Sequence, residues 1–152
     1  MDKKMLSAIG KSISVLHNYR QKHVAGIMAK YGLGVSGYGF LLNIQSQEGL
    51  TQQKLSDNLF TDYGLASRIL GRLEKKGYII RKRTREDTRS YEIYLTNKAK
   101  AIIPELHKAY EEWWEQLCSQ ISAPDLKILG SRLQEMSEKA TGKPLFQDGK
   151  VG

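Results

Sequence analysis

Residues 51–96 constrain the fold more than any other stretch. They open with two helix-like segments, 51–60 and 62–76, with only a tight turn between them. Thr51 has the hydroxyl of a helix N-cap, Leu55 and Leu59 are placed toward a core, and Gln52 and Gln53 stand at the exposed start. The second segment begins at Asp62, or at Thr61 just before it, and stops at Gly77. Tyr78-Ile79-Ile80 then starts a strand, and Tyr91, Ile93 and Leu95 return at period two, which gives them one core face. Two short helices across a tight turn, followed by a charged two-stranded ribbon, predict a winged helix-turn-helix.

The second of these helices divides cleanly. Leu65, Ala66, Ile69, Leu70 and Leu73 form an apolar side, and Gly64, Ser67, Arg68, Gly71, Arg72 and Lys75 form the other. Any surface helix has a polar face, but this one is small or cationic, with Asp62 and Glu74 only at its margins. A helix entering a major groove needs small residues for close approach and arginine for phosphate or guanine. The hairpin adds Arg81, Lys82, Arg83 and Arg85, cations suited to phosphate. Charge follows the same division: residues 62–100 hold 11 Lys/Arg against 5 Asp/Glu, and residues 101–152 hold 6 against 8. In a chain of formal charge +8, a net +6 on residues 62–100 is the electrostatic footprint expected of a nucleic-acid face, and with the winged helix-turn-helix the partner expected is double-stranded DNA.

The flanks are helical. Leu6, Ile9, Ile13, Leu16, Val24, Ile27 and Met28 recur mostly at steps of three and four, and residues 31–34 supply a stop. Ser36 is placed to cap a second helix carrying Phe40, Leu41 and Ile44 and ending near Gly49. Thr96 is placed to cap a long helix whose stripe runs through Ile102, Ile103, Leu106, Tyr110, Trp113, Trp114, Leu117 and Ile121, with Pro104 expected to bend it. Ser122 is placed to cap a last helix, with Pro124 in its first turn and Leu126, Leu129, Leu133 and Met136 along it, ended by Gly142. The fold class expected is mainly α with a small β-hairpin wing. Residues 36–96 form the winged domain, 1–35 and 97–142 a helical region, and 143–152 a flexible tail.

Several classes of function are disfavoured. No apolar run approaches the ~20 residues that span a bilayer, and the N-terminus has no apolar signal core, so a cytoplasmic protein with no membrane partner is expected. One cysteine, Cys118, allows neither an intrachain disulfide framework nor a cysteine-cluster metal site. His17 and His23 are six apart, off a common helix face, and His107 is distant, so no metal site is nominated. No nucleophile–base pair and no Gly-rich phosphate loop suggests an enzyme or a bound cofactor, and no catalytic residue is nominated.

The chain resembles the MarR family of bacterial transcriptional regulators. Its most specific matches are Asp87-x-Arg89 followed by Ile93-x-Leu95-Thr96, together with Arg72-Leu73-Glu74-Lys75-Lys76-Gly77-Tyr78-Ile79 and Gly64-Leu65-Ala66-Ser67-Arg68-Ile69-Leu70. The resemblance implies a homodimer in which first and last helices interlock, here through Leu6, Ile9, Ile13, Leu117, Ile121, Leu126, Leu129, Leu133 and Met136. It also implies that Tyr63, Gly64, Ser67, Arg68 and Arg72 face the major groove and that Arg89 reaches the minor groove, with Asp87 holding its guanidinium. Gln52 and Gln53 are counted with this DNA-facing set. The function expected is a repressor on a pseudo-palindromic operator, released by a small molecule.

Family members commonly take small aromatic ligands. Candidates for such a site are His17, Arg20, Tyr38, Trp113 and Trp114, although aromatics of this kind more often fill cores and interfaces. Cys118 offers an alternative as an oxidant sensor, but neighbouring Glu115 opposes a low-pKa thiol. A second alternative is a winged-helix module for protein contact with a merely solvated basic wing.

Overall fold

The computed structural model describes residues 2–84 and 89–145. The element order is α1 (Lys3–Ala29), α2 (Ser36–Ser46), β1 (Leu50–Thr51), α3 (Gln52–Asn58), α4 (Tyr63–Lys75), β2 (Ile79–Arg83), β3 (Tyr91–Leu95), α5 (Asn97–Cys118) and α6 (Ala123–Thr141). Six helices and a small antiparallel sheet make the mainly α, winged architecture expected from the sequence. No helix among the described residues is long and apolar enough to cross a membrane. Two compact units divide the chain, residues 1–110 and 111–152, so the expected boundary at 35/36 falls inside the first.

The sheet has three strands rather than two, in the order β1-β3-β2. β1 pairs Leu50 with Ile93 and Thr51 with Glu92, and β2 pairs Ile79 with Leu95 through Arg83 with Tyr91. Two residues show no periodicity, so β1 was invisible in sequence. Ile79, Ile93 and Leu95 are buried in the core. Tyr91 shares their face by register but is exposed, because it stands at the outer end of the ladder, beyond the core.

The core of the first unit gathers Val24, Ile27 and Met28 from α1, Phe40, Leu41 and Ile44 from α2, and Leu55 from α3. Ala66, Ile69, Leu70 and Leu73 from α4 join Ile103 and Leu106 from α5 in the same cluster. The end of α1 and the start of α5 are therefore part of the winged unit's core. Ser36 does not cap α2. Val35 takes the cap position without a side-chain bond, and backbone turns from Gly34 and Val35 carry the chain into the helix. A Cβ at Gly37 would stand 3.3 Å from both Leu73 and Met28 side-chain carbons, which would have to shift by a few tenths of an ångström to admit it. α2 ends at Ser46, three residues short of Gly49, which turns at φ +85° under the Tyr94 hydroxyl.

Other ends follow the sequence. The Thr51 hydroxyl accepts from Lys54 N, Thr96 Oγ1 accepts from Ala99 N, and Ser122 accepts from Asp125 N. Gly142 closes α6 in the left-handed region at φ +68°. α5 runs through Pro104 as one helix. In the second unit Leu117, Ile121, Leu129, Leu133 and Met136 are exposed and Leu126 is half-buried.

Candidate nucleic-acid interface

α4 is held at its start by Asp62, whose Oδ1 accepts the backbone N–H of Leu65 at 2.8 Å. The turn before it is tight because Phe60 adopts φ +50° and Thr61 N bonds back to Ser56 O at 3.0 Å. An aromatic residue in the left-handed region is uncommon and carries strain. With Ala66, Ile69, Leu70 and Leu73 buried, the opposite face presents Gly64, Ser67, Arg68, Gly71, Arg72 and Lys75 to solvent. Tyr63 is exposed at the leading end. Leu65 departs from its expected apolar side and is 37% exposed. One residue before Ala66, it lies about 100° round the helix from the buried stripe.

The wing sorts its cations by strand alternation. Lys82 lies on the outer face with its Nζ 4.7 Å from the Tyr94 ring centroid. Arg83 lies on the other face, 5.8 Å from the Tyr91 ring, its cross-strand partner. Both are exposed, as is Arg89 in the turn beyond. Arg85 and Asp87, nominated in sequence for the wing tip, lie outside the described residues.

Two nominations are corrected. Gln52 is not at an exposed start: it is 9% exposed, and its side-chain amide donates to Tyr63 O at 3.3 Å. Arg81 is not a free phosphate cation. Its side chain is 23% exposed, Nη1 donates to Gln52 Oε1 at 3.4 Å, and Nε stands 3.1 Å from Glu74 Oε2 without the alignment of a hydrogen bond. Residue type alone placed both outside; the partners that draw them in are distant in sequence. Gln53 is exposed as expected, its amide donating to Asp57 at 3.3 Å.

The nominated effector residues are divided between the two units. Tyr38 is buried on α2, its ring 5.4 Å from that of Tyr110. Arg20 is half-buried and His17 exposed on α1. Trp113 and Trp114 belong to the second unit, stacked edge to face at 4.9 Å. Sequence reasoning passed over two polar links inside the first unit: His23 Nε2 lies 3.0 Å from Ala109 O, and His107 Nε2 lies 2.8 Å from Gln45 Oε1. Among the described residues no group of three or more His, Cys, Asp or Glu is arranged to hold a metal ion.

A sequence model described as MarR family matches residues 31–90. The HTH-type transcriptional regulator SarZ of Staphylococcus epidermidis is 38% identical over 81 residues, 53% of this chain and 55% of that protein. SarZ of Staphylococcus aureus is 37% identical over the same length. The chain thus spans about half the length of these curated relatives. Among solved structures, a MarR transcriptional regulator from Methanosarcina mazei Go1 superposes with a TM-score of 0.82 at 33% identity, covering 90% of this chain and 98% of that one. A mutant MarR from E. coli complexed with operator DNA shares the fold at a TM-score of 0.77 and 20% identity, over 90% and 99% of the two chains. A match over 90% of this chain at one-third identity, on the fold and motifs described above, establishes that the chain belongs to the MarR family of transcriptional regulators.

Proposed function

We propose that this protein is a non-enzymatic, DNA-binding transcriptional regulator that acts as a homodimer on a pseudo-palindromic operator. One observation carries the reading: the solvent face of α4 is dominated by small and cationic residues, Gly64, Ser67, Arg68, Gly71, Arg72 and Lys75, with Tyr63 and Leu65 at its leading end and Glu74 at its margin, and it ends near an exposed cationic wing. Small residues let a helix seat deeply in the major groove, and arginines there reach base edges and phosphates. Lys82 and Arg83 supply phosphate contacts, and Arg89 suits a narrow minor groove, whose negative potential attracts a guanidinium. The operator complex of the E. coli relative supports this mode of use.

The homodimer reading rests on apolar side chains that the winged core does not use. Leu6, Ile9 and Ile13 on α1 and Leu129, Leu133 and Met136 on α6 are all exposed, at helical steps of three and four. A second copy of this chain covers them and sets two recognition helices about 34–36 Å apart, one turn of DNA. The protein represses in the cytoplasm until a small molecule changes that separation. A gel shift with the DNA upstream of its own gene tests the reading. Retarded complexes that survive excess non-specific duplex support it, whereas weak, sequence-independent binding favours a protein-contact module instead.

A further inference from the structure

We propose that Gln52, Arg81 and Glu74 are positioning residues, which lock the wing strand to both ends of the recognition helix so that major- and minor-groove contacts are made in register. The inference rests on the reading of this protein as a DNA-binding regulator.

The three side chains form one polar chain. Gln52, on the first turn of α3, donates from Nε2 to the backbone carbonyl of Tyr63 on the first turn of α4 at 3.3 Å. Its Oε1 accepts from Arg81 Nη1 on β2 at 3.4 Å, and Arg81 Nε stands 3.1 Å from Glu74 Oε2 on the last turn of α4. A single path therefore runs from one end of α4, through the supporting helix and the wing strand, to its other end. Gln52 is also pinned from behind, because Ser56 Oγ donates to its carbonyl at 2.9 Å within the buried face of α3.

Apolar packing alone does not fix this geometry. Burial of Ala66, Ile69, Leu70 and Leu73 is non-directional and tolerates small rotations of α4 about its axis. Two directed hydrogen bonds, Gln52 Nε2 to Tyr63 O and Arg81 Nη1 to Gln52 Oε1, together with the ion pair of Arg81 and Glu74, restrict that freedom, and a planar guanidinium presents its donors in fixed directions. Arg81 touches both the support helix and the far end of α4 through this path. At 23% side-chain exposure it is only partly open to solvent, with its polar contacts made inside the protein. Its cost is a cation spent on the protein and not on DNA, in the segment richest in cations.

The test uses full-length protein and the duplex that wild type enriches from a random-sequence pool, with a shuffled duplex as reference. Arg81→Lys keeps the charge and loses the fork. The expected result is operator affinity reduced about tenfold, an unchanged affinity for the shuffled duplex, and an unchanged slope of log affinity against log salt. Gln52→Leu, which alters no charge, should reproduce the loss. If Arg81→Lys binds like wild type, or Arg81→Met lowers the salt slope by about one, Arg81 is a phosphate contact and the inference is overturned. If Arg81→Lys fails to fold by circular dichroism, Glu74→Gln, at an exposed position, makes the same comparison, and full operator affinity in that variant overturns the inference too. A wild-type protein that enriches no sequence removes the DNA-binding reading itself and this inference with it.

Discussion

The phenol of Tyr31, in the turn that ends α1, donates to one oxygen of Glu105 on α5, while Lys30 reaches the other at 3.1 Å. The Glu105 carboxylate and partial burial hold the Tyr31 hydroxyl on, raising its pKa from 10.0 to about 12. The same bond, followed by that from Lys30, lowers the pKa of Glu105 below the ordinary 4.5. A raised tyrosine pKa means stability that is complete below pH 10.0 and is lost as pH rises toward 12. A lowered carboxylate pKa means stability present above pH 4.5 and lost as pH falls through the folded value. Tyr31→Phe is expected to reduce the alkaline limb, leaving the part that comes from Tyr78, whose pKa burial also raises, and to reduce the acid limb in part, since Lys30 remains. Urea midpoints of both proteins between pH 3 and pH 12 check this, on the linkage of protons to folding; parallel curves would contradict it.

Asp62→Ala removes the cap that accepts from Leu65 N at 2.8 Å. A loss of about 0.5–2 kcal/mol in stability is expected, typical of an N-cap deletion. Because the frayed turn carries Tyr63 and Gly64, operator affinity should fall further than stability accounts for. Asp62→Asn, which still offers an oxygen acceptor, should restore both in thermal melts and gel shifts.

The caps and stripes were legible because they are local. Thr51, Asp62 and Ser122 each bond a backbone N–H three residues on, a spacing that sequence displays directly. Gln52 and Arg81 were not legible, because what turns them inward is a carbonyl 11 residues away and an amide 29 residues away. Polarity alone assigns such residues to solvent, and only the packing of α3 against the wing reverses it. Leu65 failed in the other direction: it joins the apolar list by type, yet the buried stripe of α4 begins one residue later. The two-sided division of α4 was legible because period and charge coincide there, with every buried position apolar and the exposed ones small or cationic apart from Tyr63, Leu65 and Glu74.

Gly71 separates two roles of the same residue. A Cβ at this position would meet no atom within 4 Å, so alanine fits the folded chain without strain. Gly71→Ala should raise stability by about 0.5–1 kcal/mol, the cost of glycine inside a helix. If the glycine is kept for close approach to a groove, operator affinity should fall in the stabilised variant. A stabilised protein with unchanged affinity would remove Gly71 from the interface.

Arg89, exposed in the turn of the wing, is expected to lose about 1–3 kcal/mol of operator binding when changed to alanine. The size and melting temperature of the protein should not move, since the side chain lies outside the core. A minor-groove contact also predicts that the loss is largest for operators with A·T-rich flanks, where the groove is narrow. Titration against duplexes with A·T-rich and G·C-rich flanks measures this, and an equal loss on both would reduce Arg89 to a phosphate contact.

Leu133 on α6 and Ile13 on α1 are both exposed, and neither belongs to the core cluster, so charged substitutions there should leave the winged unit folded. In a two-fold dimer each substitution enters the interface twice, placing two desolvated charges where apolar surface was covered. Leu133→Glu is therefore expected to weaken association by roughly 2–5 kcal/mol, the scale of an unpaired buried charge. Light scattering should read a monomer at concentrations where wild type is a dimer. A monomer presents one recognition helix and loses the gain of a second tethered site, so operator affinity should drop far more than non-specific affinity. Were Leu133→Glu and Ile13→Lys both to remain dimers with full operator affinity, the exposed stripes of α1 and α6 would have no part in assembly, and the spacing of the two recognition helices would have to be set elsewhere.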